Sequence, residues 1–166
     1  MTATRVLMVC MGNICRSPTA EEVLRTLARR EAPHLALVVD SAGTHDYHVG
    51  DPPDRRSIAA ARARGYDLAA LRARQLQAGD FQRFDYVLVA DSQNLAEAQR
   101  IVPAEPQARL QRLLDYAPGQ PLRDLPDPYY GGPRDFELVL DLCEQAARGL
   151  LQHLQSSIGD RRGRQA

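Results

Sequence analysis

Residues 5–28 read RVLMVCMGNICRSPTAEEVLRTLA and join a short apolar run to a helical repeat. The run at 5–10 has a valine on either side of its centre, which is typical of a strand buried on both faces of a parallel sheet. The residues after the run predict a helix with Ser17 as its N-cap and with Glu21 and Glu22 in its positive first turn. The apolar positions of that helix recur at helical spacing: Ala20, Val23, Leu24, Leu27 and Ala28.

Strand and helix patterns alternate along the rest of the chain. This alternation is typical of a single-domain, three-layer α/β sandwich with a doubly wound parallel sheet, in which ligands bind beyond the carboxyl ends of the strands. Residues 41–44 predict a turn, and the Pro- and Gly-rich segment 117–133 predicts a loop long enough to carry function. We expect one domain over 1–158 and a basic, disordered tail over 159–166. The further predicted strands are 35–40, 85–90 and 109–114, and the further predicted helices are 56–64, 93–100 and 136–150.

The 166 residues carry 21 basic and 21 acidic side chains and three cysteines. Because the charges balance, the overall field favours neither nucleic acid nor an anionic membrane, and we expect neither as a partner. An odd, sparse set of cysteines favours a reducing compartment, hence the cytoplasm. The N-terminal apolar run is too short for a membrane-spanning helix and lacks a signal-peptide pattern. A chain without lysine but with many alanines indicates a GC-rich bacterial genome.

The loop between the first strand and the first helix separates Cys10 from Arg16 by five residues. A loop of this length before a helix can turn its backbone N–H groups inward around a tetrahedral oxyanion, and Gly12 and Asn13 are predicted to supply the left-handed backbone that this requires. The same field stabilises a thiolate at Cys10, which predicts a nucleophile at neutral pH. The Arg16 guanidinium suits two phosphoryl oxygens, and the Ser17 hydroxyl can donate to the sulfur and help it leave.

Cys10 could instead be an ordinary buried thiol at a strand end, because free cysteine is among the most buried residue types. A Cys-x5-Arg match alone would favour that interpretation. Here the match follows a buried strand, contains Gly-Asn, ends in Ser-Pro and opens an amphipathic helix. Such a context favours a catalytic loop.

Residues 10–21, CMGNICRSPTAE, resemble the signature loop of the low-molecular-weight protein tyrosine phosphatase family. Ser-Ala-Gly-Thr at 41–44, the Asp85 strand with Asp91 beyond it, and Asp-Pro-Tyr-Tyr at 127–130 follow in the order and approximate spacing of that family, so the resemblance covers nearly the whole chain. It implies a flavodoxin-like fold with a four-stranded parallel sheet. It also implies hydrolysis of phosphotyrosine and small aryl phosphates through a phosphocysteine intermediate, with no cofactor or metal. The implied partners are a phosphotyrosine-containing protein as substrate and a phosphate or other oxyanion in the loop.

A phosphatase needs an acid to protonate the leaving phenolate, and that acid must itself be protonated in the complex. Asp127 is the predicted acid, because it lies on the long loop, precedes a proline and matches the family's general acid, which later activates water. Asp127 could be only a turn-forming residue, since Asp-Pro is common in turns. Asp91 is a rival at a strand end, although helix N-cap is its expected role.

Aromatic residues are expected to line the entrance. By resemblance, the rings of Tyr129 and Tyr130 stack against the phosphorylated ring, with Tyr47 on the opposite wall. Ordinary loop packing is the alternative for these tyrosines. The predicted substrate-binding set is Met11 and Ile14 at the rim, with Gly12, Asn13, Cys15, Ser17, Tyr47, Tyr129 and Tyr130.

The two remaining cysteines have different expected roles. Cys15 lies five residues from the nucleophile, and one hypothesis is that a disulfide with Cys10 protects the thiolate from irreversible oxidation. The alternative is that Cys15 is a small loop residue facing the core. Cys143 lies on the apolar face of the last predicted helix, so we expect it in the core.

One position departs from the family pattern. Many members carry a histidine just before the Ala-Arg-Gln segment, bonded to the loop through Asn13 and Ser41, whereas this chain has Leu71. The network that holds Asn13 is therefore expected to differ. The histidines present match no catalytic position of the family: His34, His45, His48 and His153.

Three other functions are weighed against the phosphatase. Thioredoxin-coupled arsenate reductases share the fold and loop, but they place a pair of cysteines after the third strand, where residues 90–107 have none. A catalytically dead phosphate-binding or phosphotyrosine-binding module would usually lack the nucleophile, the arginine or the acid. A zinc site at Cys10 and Cys15 lacks two more nearby ligands.

Overall fold

The computed structural model describes residues 2–157 with their side chains and assigns the last helix through Gln165. Strands and helices alternate along this part of the chain. The strands are β1 (Thr4–Cys10), β2 (Leu37–Gly43), β3 (Tyr86–Val89) and β4 (Arg109–Arg112). The helices are α1 (Arg16–Glu31), α2 (Arg55–Ala63), α3 (Asp80–Arg83), α4 (Ser92–Gln99) and α5 (Pro133–Gln165), and a 3₁₀ turn covers Leu113–Tyr116.

The four strands form one parallel sheet in the order β2-β1-β3-β4. β1 is therefore an inner strand, which explains why its residues after Arg5 are all buried. Cys10 pairs with Gly43 of β2, and Val9 pairs with Val89 of β3. The predicted α/β sandwich with a four-stranded parallel sheet is confirmed.

Side chains along β1 alternate between two hydrophobic cores, as a strand's period of two requires. Met8 points to the core that contains Leu24 of α1 and Leu140 of α5. Val9 points to the opposite core, which contains Phe81 of α3. Helices thus cover both faces of the sheet, and the carboxyl ends of the strands remain as the place where loops can gather.

The predicted start of α1 is wrong. The N-cap residue is Cys15, which makes no side-chain cap hydrogen bond, and Ser17 lies inside the first turn. The Ser17 hydroxyl instead contacts the Cys10 sulfur. Glu21 and Glu22 fall beyond the first turn, so they do not contribute the charge at the helix N-terminus that the sequence predicted.

Two predicted strands also end elsewhere. The segment 41–43 continues β2 rather than turning, because Gly43 pairs with Cys10 at the end of β1. β4 ends at Arg112, and the residues predicted to extend it, 113–114, belong to the 3₁₀ turn.

The predicted helices 56–64 and 93–100 are confirmed to within one residue at each end. The last helix begins earlier than predicted, at Pro133, since proline is tolerated in the first turn of a helix. The disordered tail predicted at 159–166 and the domain boundary beside it lie outside the residues described with side chains. Among the helices of the described chain, none is long and apolar enough to cross a membrane.

Candidate active site

The loop at 11–15 connects the end of β1 to the start of α1 at the carboxyl edge of the sheet. The chain passes from β1 to β2 on one side and then to β3 on the other side of β1. The strand order therefore reverses at this loop. In parallel α/β sheets such a reversal opens the crevice in which ligands bind.

The Cys10 thiol is buried at the end of β1 and is 3% exposed. Its sulfur lies 3.0 Å from the hydroxyl oxygen of Ser17 and accepts the backbone N–H of Asn13 at 3.3 Å. Donors in this position suit a thiolate, which is the nucleophilic form of cysteine.

Asn13 fixes the shape of the loop. Its φ of 59° is left-handed, as predicted. Its side-chain Oδ1 accepts the backbone N–H of Arg74 at 3.0 Å. Its Nδ2 donates to the hydroxyl oxygens of Ser17 and Ser41 at 2.7 and 2.9 Å. The loop is therefore held from α1, from β2 and from the segment before α3.

Two glycines lie close to this loop. The predicted left-handed backbone at Gly12 is wrong, because its φ is not positive; a Cβ there would lie 2.9 Å from Cδ2 of His48. At Gly43 a Cβ would lie 2.7 Å from the carbonyl oxygen of Met11, which is a backbone atom that cannot swing away. Only glycine lets the end of β2 approach the loop this closely. No role was predicted for Gly43, although its place in the Ser-Ala-Gly-Thr motif was an available signal.

Arg16 is buried near the sulfur, with a side chain that is 3% exposed. Its Nη1 donates to Oδ2 of Asp91 at 2.6 Å and to the carbonyl oxygen of Leu125 at 2.9 Å. Its Nη2 lies 3.7 Å from Oδ2 of Asp127. Burial alone would lower the pKa of Arg16, but interactions with Cys10, Asp91 and Asp127 raise it. The guanidinium is therefore a fixed, permanent cation.

Asp91 has two partners. Its Oδ1 accepts the backbone N–H of Asn94 at 2.8 Å, which confirms the predicted N-cap of α4. Its Oδ2 accepts from Arg16, a contact that was not predicted from the sequence. The only signal for it was the position of Asp91 at the carboxyl end of a parallel strand.

Asp127 faces the opening, with a side chain that is 44% exposed. Its Oδ1 accepts the backbone N–H of Tyr129 at 3.1 Å, in the manner of an Asx turn. Its Oδ2 remains on the side of Arg16. The Asp127 carboxyl group therefore forms the turn with one oxygen and faces Arg16 with the other.

The aromatic residues expected at the entrance are exposed. The rings of Tyr129 and Tyr130 meet edge to face with centroids 4.9 Å apart, and Tyr130 is 95% exposed. Arg56 holds this pair by donating to the Tyr129 carbonyl oxygen and by covering its ring at 5.6 Å. The ring of Tyr47 stacks on that of His45, with centroids 4.9 Å apart. The backbone N–H of His45 donates to the carbonyl oxygen of Met11, which joins this segment to the loop at 11–15.

The other loop residues are less accessible. Met11 and Ile14 are half-buried, whereas Cys15 is buried. Burial raises the pKa of the Cys15 thiol to about 12, although a hydrogen bond with Ser57 partly offsets this. All three cysteines are free thiols, and burial also raises the pKa of Cys143 in the core. Cys143 is therefore a core residue, as predicted.

A cysteine and an arginine at the two ends of one loop thus meet an aspartate from a distant loop at the reversal point of a parallel sheet. This arrangement defines an α/β protein with a thiol in an anion-binding loop. The family model described as low molecular weight phosphotyrosine protein phosphatase matches residues 5–159. The chain belongs to this family.

Individual relatives agree with the family match. A putative low molecular weight protein-tyrosine-phosphatase of Synechocystis is 42% identical and aligns over 90% of this chain and 96% of the relative. The crystal structure of a protein tyrosine phosphatase from Entamoeba histolytica, with Hepes in the active site, has a TM-score of 0.88 at 34% identity and covers 93% of this chain and 99% of that one. The crystal structure of a Drosophila arginine phosphatase has a TM-score of 0.83 at 30% identity, with coverage of 90% and 96%.

Proposed function

We propose that this protein hydrolyses phosphotyrosine and small aryl phosphates through a phosphocysteine intermediate. The observation that carries the proposal is the position of Arg16, which ends the loop that begins after Cys10 and whose Nη2 lies 3.7 Å from Oδ2 of Asp127. A nucleophile, a cation for the phosphoryl oxygens and an acid for the leaving group are the three parts that this reaction requires.

In the first step the Cys10 thiolate attacks phosphorus in line with the leaving oxygen. The S–P bond forms as the P–O bond to the phenol breaks, and the phenolate takes a proton from Asp127. Arg16 and the backbone N–H groups of the loop hold the equatorial oxygens, on which charge is redistributed.

In the second step a water molecule gives a proton to Asp127 and attacks phosphorus. The new O–P bond forms as the S–P bond breaks, and phosphate leaves with the thiolate restored. The Ser17 hydroxyl, 3.0 Å from the Cys10 sulfur, donates to it as its charge returns.

The exposed rings of Tyr129 and Tyr130 suit an aromatic substrate side chain, because aromatic pairs favour edge-to-face and offset stacking. Met11 and Ile14 would line the rim, and Tyr47 the opposite wall. The substrate is a phosphotyrosine-containing protein. The free thiols support a cytoplasmic location. The lysine-free composition supports a bacterial source.

The proposal is tested by hydrolysis of p-nitrophenyl phosphate and of phosphotyrosine, phosphoserine and phosphoarginine peptides, all with EDTA present. We expect turnover of p-nitrophenyl phosphate and a clear preference for phosphotyrosine. A preference for phosphoarginine would instead assign an arginine phosphatase activity, as named for the Drosophila relative. No turnover by folded protein would contradict the proposal and favour arsenate reduction or phosphate binding alone.

Asp127→Asn tests the role of the acid. Because asparagine cannot donate the proton, we expect kcat for phosphotyrosine to fall about 10²-fold. The loss should be smaller for p-nitrophenyl phosphate, whose leaving group needs less protonation. Steady-state kinetics with a series of aryl phosphates measures this dependence on the leaving group.

Asp124→Asn is the matched control for that variant. Asp124 lies on the same loop, but its Oδ1 accepts from the backbone N–H and hydroxyl of Ser92 rather than facing Arg16. Its kinetics should be unchanged for every leaving group. If kcat of Asp127→Asn depended on the leaving group as it does in the wild type, Asp127 would not be the general acid.

A further inference from the structure

A continuous chain of side-chain hydrogen bonds runs from the nucleophile into the protein. The Cys10 sulfur contacts the Ser17 hydroxyl at 3.0 Å, and the Ser17 oxygen accepts from Asn13 Nδ2 at 2.7 Å. The same Nδ2 donates to the Ser41 oxygen at 2.9 Å, and the Ser41 hydroxyl donates to Oε1 of Glu21 at 2.6 Å. The chain therefore ends on a carboxylate that the proposed reaction does not use.

A fixed donor at one end and a fixed acceptor at the other determine the directions of the hydrogen bonds among Asn13, Ser41 and Glu21. The backbone N–H of Arg74 can only donate, so the Asn13 oxygen faces it and the Asn13 amide nitrogen faces the two hydroxyls. An ionised carboxylate can only accept, so the Ser41 proton points to Glu21 and its lone pairs receive the Asn13 amide. The Ser17 oxygen also receives that amide, which leaves the Ser17 proton for the sulfur.

The Ser17 proton has a competing acceptor. The carbonyl oxygen of Ala42 lies 3.4 Å from the Ser17 oxygen, whereas the Cys10 sulfur lies at 3.0 Å. The position of the Ser17 oxygen, which Asn13 holds, therefore decides where this proton goes.

Glu21 is well placed to keep the Ser41 hydroxyl pointing away from Asn13. Its side chain is 4% exposed, and its second oxygen is paired with Arg25. Burial raises the pKa of Glu21, and the hydrogen bonds from Ser41 and Arg25 oppose that shift. Leu71 occupies the position where many family members carry a histidine and packs against the hydrophobic core, so no imidazole serves Ser41 from there.

We propose that Glu21 is a positioning residue, whose carboxylate orients Ser41 and Asn13 so that the Ser17 hydroxyl donates to the Cys10 sulfur. Glu21 touches neither substrate nor sulfur and acts only through these three side chains. The kinetic consequence rests on the proposed function, because the hydroxyl matters most when the thiolate leaves the phosphocysteine.

The isosteric variant Glu21→Gln removes the acceptor for the Ser41 hydroxyl with little change in side-chain volume. The single side-chain oxygen of glutamine should accept from Arg25, since charge-assisted hydrogen bonds are the stronger ones. The amide nitrogen then faces Ser41, whose oxygen meets two donors and whose proton has lost its acceptor. A buried hydroxyl without an acceptor is costly, so the Ser41 and Asn13 side chains shift.

We expect Glu21→Gln to lower kcat for p-nitrophenyl phosphate about tenfold, which is the size of one hydrogen bond to a charged group. KM should fall together with kcat, because the slowed step follows formation of the phosphocysteine. A pre-steady-state burst of p-nitrophenol should appear or grow, because loss of the Ser17 donor slows the second step. The rate of Cys10 alkylation by iodoacetamide at one mildly acidic pH should also fall. Buried Cys15 and Cys143, whose pKa values are raised, do not contribute to that rate.

Glu22→Gln is the matched control. Glu22 is the next residue on α1, is buried and also pairs with Arg25, but its other partners are Thr26 and Arg29 rather than Ser41. Both variants should lose similar thermal stability, and only Glu21→Gln should change kcat, the burst and alkylation. Equal kinetic losses in the two variants would show a merely structural role and overturn the proposal.

A double-mutant cycle with Ser41→Ala gives a second, independent criterion. If Glu21 acts through Ser41, Glu21→Gln has no further effect on kcat or alkylation in the Ser41→Ala background. Additive losses would overturn the proposal. Alkylation needs no turnover, so failure of the proposed phosphatase activity is distinguished from failure of this inference.

Discussion

Replacing Cys10 with serine is expected to abolish hydrolysis of p-nitrophenyl phosphate, with a loss of at least about 10⁴-fold in kcat. A serine hydroxyl is not ionised at neutral pH and needs a general base. The side chain at this position is contacted by the Asn13 backbone N–H, which is a donor, and by the Ser17 hydroxyl. Neither group can serve as that base, so the hydroxyl stays protonated and unreactive.

Loss of activity in Cys10→Ser has to be separated from loss of the fold. Binding of phosphate to the variant, measured by calorimetry, should persist because Arg16 and the loop remain. Cys143→Ala removes a different buried thiol and should keep full activity. Residual phosphate release by Cys10→Ser above about 1% of wild type would exclude a phosphocysteine route as the main pathway.

Arg16→Lys should lower kcat/KM about 10³-fold, although the charge is conserved. The planar guanidinium donates in two directions, to Asp91 and to the carbonyl oxygen of Leu125, and still presents Nη2 to the opening. One ammonium group cannot keep both anchors and also reach two phosphoryl oxygens. The loss should appear in kcat and in the affinity for inorganic phosphate, measured by steady-state kinetics and calorimetry.

Asp91→Asn is the graded comparison for Arg16→Lys. Asparagine keeps only one acceptor oxygen, which serves either Arg16 or the cap of α4, and the Leu125 carbonyl still accepts from Nη1. We expect a loss of only about tenfold, which corresponds to weakening one charge-assisted contact. Losses of similar size in the two variants would mean that the orientation of Arg16, rather than its bidentate shape, limits the reaction.

The sequence predicted the parts of the fold that depend on local pattern. The apolar run before Cys10 indicated an inner parallel strand, and helical spacing located α1 from Ala20 to Ala28. The approach of Asp127 to Arg16 was expected only through the family resemblance. The two residues are 111 positions apart, and spacing alone contains no information on such a contact.

The errors arise where tertiary contacts outweigh local preference. Ser17 has the residue type of an N-cap, but its hydroxyl is bound to the sulfur and to Asn13 instead. Residues 41–43 have the composition of a turn, yet pairing with β1 extends them as strand. Glu21 was assigned to the charge at a helix end, whereas its contact with Ser41 depends on how α1 packs against β2.

The backbone of Leu125 links elements that are remote in sequence. Its N–H donates to the carbonyl oxygen of Ala90 at the end of β3, and its carbonyl oxygen accepts from Arg16. The segment just before it, residues 118–124, is largely exposed. Because Asp124 is bonded to Ser92, we expect insertions, deletions or grafted peptides in 118–123 to leave the position of Asp127 relative to Cys10 unchanged, so this segment can be varied without altering the chemistry.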